Sequence, residues 1–162
     1  MMKEREEKTI PAGTLAETLA KVEAIVRSGG DRDELLRRIV RILHESEPRY
    51  DWTGIYIVEG TELVLHNQIG LPTPHEKIPL GRGICGAAAA SGETIVVPDV
   101  NADPRYLACS LKTRSEIVVP VRDPAGRVVA EIDIDSDTPD AFDETERAKL
   151  ERCAALISRL FE

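Results

Sequence analysis

The chain has 162 residues and sets 21 lysines and arginines against 29 aspartates and glutamates, a formal net charge of −8. An acidic balance without a polybasic run argues against nucleic acid or anionic membrane as partners, and no apolar run approaches the roughly 20 residues of a membrane span. Three cysteines, none in a C-x-x-C pair, argue against a secreted disulfide framework or a zinc ribbon; the charged N-terminus lacks the apolar stretch of a signal peptide, so the expectation is one cytoplasmic domain with reduced thiols.

Residues 1–13 read as a frayed, flexible leader, and residues 14–162 as a single domain. Leu15, Leu19, Val22 and Val26 recur at helical spacing, predicting a helix from about Thr14 to Ser28, stopped by Gly29-Gly30. Asp31 with Glu34 three residues on has a capping-box pattern. It opens a second helix striped by Leu35, Leu36, Ile39, Val40 and Leu43, which ends before Pro48. The period then becomes two. Trp52 to Val58 reads as a strand, Glu59-Gly60 as a tight turn, and Glu62 to Ile69 as its hairpin partner. A loop with Pro72 and Pro74 follows, then a short helix over 84–90 after Gly81-Arg82-Gly83, a short strand from Thr94 to Val97, and an irregular segment from Asp99 to Leu111. Ser115 to Val121 and Val128 to Asp135 are strands joined by Asp123-Pro124-Ala125-Gly126. Asp143 and Glu146 cap a last helix striped by Leu150, Cys153, Ala154, Ile157 and Leu160. The expected architecture is an α+β sandwich: an antiparallel sheet of five to six strands, terminal helices packed on one face, and the 70–112 loops over the other.

Alternation gives the strands two unlike faces. Val128, Ala130, Ile132 and Ile134 point one way; Glu131, Asp133 and Asp135 point the other, about 7 Å apart along the strand. Glu116 is expected near Asp133 or Asp135 on the same face. A row of like charges destabilises a solvated sheet, whereas in a binding site proximity and burial raise at least one of the pKa values. Trp52 and Tyr56 share a strand face. Beside carboxylates they would form a box for a cationic group, a free amino group being the natural guest.

Cys153 lies in an apolar helical stripe and reads as core filler. Cys85 follows Gly-Arg-Gly at a helix start, where the helix N-terminus and Arg82 are expected to favour a thiolate. Cys109 lies among Arg105, Lys112 and Arg114, again favouring a thiolate. His44, His66 and His75 show no ligand spacing with the cysteines, so no metal centre is expected.

Asp51-Trp52-Thr53-Gly54-Ile55-Tyr56, Ile78-Pro79-Leu80-Gly81-Arg82-Gly83-Ile84-Cys85-Gly86, Ala108-Cys109, Ser115-Glu116-Ile117-Val118-Val119-Pro120 and Ile132-Asp133-Ile134-Asp135-Ser136 together resemble the free methionine-(R)-sulfoxide reductases. These are stand-alone GAF-domain proteins, and the resemblance runs over about residues 30–160 in order and spacing. It implies a GAF-like, PAS-related fold and reduction of free methionine sulfoxide by cysteine thiol chemistry. No cofactor would be needed beyond an external reductant of the thioredoxin kind. By the same resemblance Cys109 falls on the nucleophile and Cys85 on a second cysteine. Glu116, Asp133 and Asp135 fall on the pocket acids, and Trp52 and Tyr56 on the pocket aromatics. One departure stands out: where the family pattern often has a resolving cysteine, ten positions before Cys85, this chain has His75. Resolution then falls to Cys85 or to an external thiol, and His75 is left to hold a proton or orient the Cys109 thiolate.

The residues fit that chemistry independently. A thiolate attacks the sulfoxide sulfur while one carboxyl group, from Glu116, Asp133 or Asp135, protonates the departing oxygen. The resulting sulfenic acid condenses with a second thiol, and a reductant reopens the disulfide. The competing reading is a non-catalytic GAF sensor of a small molecule, which is expected to carry an output domain that this sequence does not contain. Apolar stripes on the N-terminal helices exceed what one sheet face needs, so a homodimer is expected.

Overall fold

The computed structural model describes residues 12–108 and 110–162, the side chains of 12–14 excepted. Residues 1–11 of the expected leader lie outside the described residues, as does Cys109. The elements are α1 (Ala12–Ser28), α2 (Arg32–Glu45), β1 (Trp52–Glu59), β2 (Glu62–Ile69), β3 (Lys77–Pro79), α3 (Gly83–Ser91), β4 (Ile95–Val97), β5 (Ser115–Arg122), β6 (Val128–Ser136) and α4 (Glu144–Ile157). The strands form one six-stranded sheet in the order β3-β2-β1-β6-β5-β4, with every pair antiparallel. This is the expected α+β arrangement, with β3 added at the edge, where a three-residue strand ending in Pro79 carries no readable alternation.

The caps sit where the sequence placed them. The Asp31 carboxylate accepts from the Glu34 amide, and the Asp143 carboxylate from the Glu146 amide. Each satisfies one of the helix's first, otherwise unpaired amides.

The sheet separates two cores. On one face Ile55, Ile117, Val119, Ala130, Ile132 and Ile134 pack with Val22, Leu36, Ile39, Leu43, Leu150 and Ile157 from α1, α2 and α4. Cys153 belongs to this cluster and is fully buried, as its stripe position indicated. On the other face Trp52, Tyr56, Leu63, Ile84, Cys85 and Val118 form a smaller cluster under α3 and the connecting loops.

A buried charged network ties the helical layer to the start of β1. Lys149 Nζ lies 3.2 Å from Glu146 Oε1 and 3.2 Å from Ser46 Oγ, and the Tyr50 hydroxyl donates to Glu146. Glu146 and Lys149 are each only 2% exposed. Removing one partner of such a pair leaves the other charge buried and uncompensated. Glu146→Ala is therefore expected to cost about 3–5 kcal/mol, measured as a lower urea midpoint with an unchanged slope. A loss below about 1 kcal/mol would mean that the pair is solvated like a surface bridge.

Candidate active site

β6 is the centre of the second face. In register, Gly54 of β1 and Val118 of β5 flank Asp133, Trp52 and Glu116 flank Asp135, and Tyr56 and Pro120 flank Glu131. Trp52, Tyr56, Glu116, Asp133 and Asp135 thus lie on one sheet face, as the alternation predicts. α3 crosses above them and lowers Cys85 onto the acids: its Sγ donates to Asp133 Oδ2 at 3.2 Å. Donor atoms of Cys85, Glu116 and Asp133 all lie within 4.8 Å of one another. Gly83, with φ +68° at the start of α3, permits this approach; a Cβ there would stand 2.7 Å from Leu107 Cδ1.

His75 joins the site from above. The Tyr56 hydroxyl donates to the His75 carbonyl at 2.7 Å, and His75 Nε2 lies 3.1 Å from the Ala108 carbonyl oxygen. The two loops that cover the face are therefore pinned to each other and to β1 immediately before position 109.

Cys85, Glu116, Glu131, Asp133 and Asp135 are all at most 5% exposed. Burial holds the Glu131 and Asp135 carboxyls well above their usual range, with the Asp133 charge adding to each. Burial also raises Asp133, while hydrogen bonding with Glu116 and Cys85 offsets part of that rise. The Cys85 thiol is pushed well above its ordinary value by burial first, then by Asp133, Glu131 and Glu116. The expectation of a Cys85 thiolate is thereby corrected: burial, reinforced by the acids from β5 and β6, outweighs the helix N-terminus and Arg82, so Cys85 rests as a thiol.

Two spaces open along the acidic row. The outer one, about 340 Å³, is lined by Trp52, Asp135, Asp51, Asp137, Lys112 and Leu71 among others. The inner one, about 20 Å³, lies between Tyr56, His75, Cys85, Glu116, Asp133 and Leu107. The residues expected around one cavity are thus divided between two, because Asp133 and Asp135 are about 7 Å apart along β6 and Leu107 packs into this cluster beside them. Asp133 Oδ1, Asp135 Oδ1, both Glu131 oxygens and Trp52 Nε1 are buried without a hydrogen-bond partner. Buried acceptors of this kind are costly, and an ammonium group, with three donors and a positive charge, matches them. Glu131 was visible in the acidic row but not assigned to the site; its complete burial is what distinguishes it.

Gly54 sits beneath the Trp52 ring, where an added Cβ would lie 2.5 Å from one ring carbon and 2.8 Å from another. Gly54→Ala must displace the indole. Trp52 is the only tryptophan, so the expected result is a red-shifted emission maximum, with about 1–3 kcal/mol of lost stability from overpacking. An unchanged spectrum would mean that the ring is not seated on Gly54.

Comparison with known proteins converges on one group. The GAF domain family profile matches residues 31–160. The free methionine-R-sulfoxide reductase of Saccharomyces cerevisiae is 38% identical, over 67% of this chain and 62% of that protein. The structure of the type II free methionine-R-sulfoxide reductase from Thermoplasma acidophilum superposes with a TM-score of 0.76 at 40% identity, covering 80% of this chain and 94% of that one. The Neisseria meningitidis free methionine-R-sulfoxide reductase, solved in complex with its substrate, superposes with a TM-score of 0.86 at 36% identity, covering 94% of this chain and 92% of that one.

Proposed function

Because the chain belongs to the GAF domain family and, within it, to the free methionine-R-sulfoxide reductases, we propose that it reduces the sulfoxide of free methionine by thiol chemistry on the acidic face of its sheet. The observation that carries the proposal is the row of buried carboxyls, with unpaired oxygens, beside the Cys85 thiol. In this reading Asp135 and Glu116 hold the substrate ammonium, with Trp52 and Tyr56 walling it in. A thiolate at Cys109 attacks the sulfoxide sulfur. Asp133, whose affinity for a proton is raised by burial, delivers a proton to the oxygen, which leaves as water after a second protonation. That loss leaves a sulfonium in which the Cys109 sulfur is bonded to the methionine sulfur. A water molecule attacks the Cys109 sulfur, and the sulfur–sulfur bond breaks with its electron pair going to methionine. Methionine departs and Cys109 is left as a sulfenic acid, with release of one proton. Condensation with the Cys85 thiol releases water and forms a disulfide, and a dithiol reductant of the thioredoxin kind returns both thiols, so each sulfoxide consumes two electrons. His75 orients the segment leading to Cys109.

The proposal extends to a cytoplasmic homodimer. A groove of about 550 Å³ between α1 and α4 is lined by Leu15, Leu19 and Leu156, with Glu23, Arg152 and Arg159 also around it. Apolar surface of this kind, edged by both charges, suits a second copy of the chain, and a monomer mass at tens of micromolar would remove it. No described helix is long and apolar enough to cross a membrane.

The test is NADPH consumption in a thioredoxin-coupled assay. Free L-methionine-(R)-sulfoxide is expected to be turned over, and the N-acetyl derivative, which lacks the ammonium, to be refused. Equal rates on the two would overturn recognition through the acidic row. A substrate-induced change in Trp52 emission with no NADPH consumption would leave the sensor reading in its place.

A further inference from the structure

We propose that Cys85, Glu116 and Asp133 form a site for a single borderline divalent cation of the Zn²⁺ type, with the buried Glu131 carboxyl behind the Cys85 ligand. The expectation of no metal centre weighed only the three histidines against the cysteines; the fold instead gathers one thiol and several carboxyls. Around a tetrahedral zinc, with Zn–S about 2.3 Å and Zn–O about 2.0–2.2 Å, neighbouring donors stand roughly 3.3–3.8 Å apart. Here the three donors lie within 4.8 Å of one another, and Cys85 Sγ and Asp133 Oδ2 are already 3.2 Å apart. Rotations of about an ångström close the set, and they bring it around the inner space between Cys85, Glu116 and Asp133, which is roughly one water molecule in size.

Glu131 supplies the independent observation. It is 0% exposed, neither carboxyl oxygen has a partner at hydrogen-bond distance, and it is near enough for its charge to oppose ionisation of the Cys85 thiol. Asp133 Oδ1, of a residue that lines the inner space, is likewise buried and unpaired. None of the ion pairs among the described residues includes Glu131, Asp133 or Asp135. Acidic groups gathered this way are compensated either by protons or by a cation. The donor set decides which cation. A thiolate selects zinc or cobalt over magnesium and calcium, which require six or more oxygens. Binding displaces the Cys85 thiol proton and puts an Sγ–metal bond in its place. The bound metal occupies the charge that the substrate ammonium would otherwise neutralise and ties up a thiol of the cycle, so metal and sulfoxide exclude one another.

Cobalt(II) is the probe, added to the chelator-treated full-length protein. The expected result is one equivalent bound at micromolar cobalt, with a sulfur-to-cobalt charge-transfer band and the intense visible bands of four-coordinate cobalt, all bleached by Zn²⁺. The band is expected to survive Cys109→Ser and vanish in Cys85→Ser. Glu131→Gln is expected to weaken affinity at least about tenfold. Asp133→Asn, an isosteric change, is expected to do the same and serves if Cys85→Ser does not fold. No thiolate band with stoichiometric cobalt, a band that persists in Cys85→Ser, or unchanged affinity in Asp133→Asn each overturns the site and leaves protons as the only compensation. The spectrum needs neither sulfoxide nor turnover. Its failure leaves the reductase reading intact, and an inactive reductase would leave the metal site intact.

Discussion

Asp133→Asn is expected to lower the turnover of free methionine-(R)-sulfoxide by about 10²–10⁴-fold, the usual contribution of a positioned general acid, while making the folded protein more stable at neutral pH. The activity loss follows from the place of the carboxyl. It accepts from Cys85 Sγ at 3.2 Å, lies within 4.8 Å of a Glu116 carboxyl oxygen, and burial raises its affinity for a proton above that of an ordinary aspartate; an amide keeps the shape and surrenders the proton. The stability gain follows from linkage. A carboxyl whose folded pKa is raised contributes most below its unfolded pKa, and that contribution is lost as pH rises through the folded pKa, because only the unfolded chain ionises freely. Asparagine removes the loss. The difference in melting temperature between variant and parent, in chelator-containing buffer, should therefore be near zero below about pH 4 and grow in the variant's favour toward pH 8. A variant less stable than the parent at pH 8 would mean that Asp133 is ionised in the fold and paired with a cation group, contrary to the geometry.

Much of the site was legible because strand alternation is a strict period. Once Ile132 and Ile134 are assigned to the helical core, Asp133 and Asp135 have no other face to occupy, and the antiparallel register brings Glu116 opposite Asp135 and Trp52 beside it. The capped ends of α2 and α4 were legible for the same local reason. What the chain order hid was tertiary. Cys85 is 48 residues from Asp133, so its neighbours in sequence, Arg82 and the glycines, gave the wrong sign for its protonation. The link between Tyr56 and His75 runs through a backbone carbonyl, which no side-chain pattern reports. Glu131 sits in the same period as Asp133 and Asp135; its fully buried, unpaired state depends on Tyr56 and α3 closing over it, and that is a property of packing density rather than of the pattern.

Cys109→Ser is expected to abolish sulfoxide reduction, a loss on the order of 10⁴-fold or more for a nucleophile, whereas Cys85→Ser should keep one turnover and stop there. The two thiols differ in what surrounds them. Cys85 is buried among acids that oppose its ionisation, so at rest it is the poorer nucleophile. Its proton already points at Asp133, which becomes a free base once it has protonated the sulfoxide oxygen; Cys85 is then activated at the moment a sulfenic acid needs resolving. The segment that leads to Cys109 carries cationic Arg105 and is held over this face by the contact of His75 with Ala108. Resolution by Cys85 requires the two Cα atoms to approach within about 7 Å. Rapid quench of Cys85→Ser with one equivalent of methionine-(R)-sulfoxide should yield one methionine per chain and a sulfenic acid trapped by dimedone at Cys109, with no further product when thioredoxin is the reductant. Sustained turnover of Cys85→Ser with thioredoxin would assign resolution to the external dithiol. Loss of the first turnover in Cys85→Ser, with Cys109→Ser still yielding one methionine, would reverse the roles and make Cys85 the attacking sulfur, drawn out of its protonated rest state by the substrate's own ammonium.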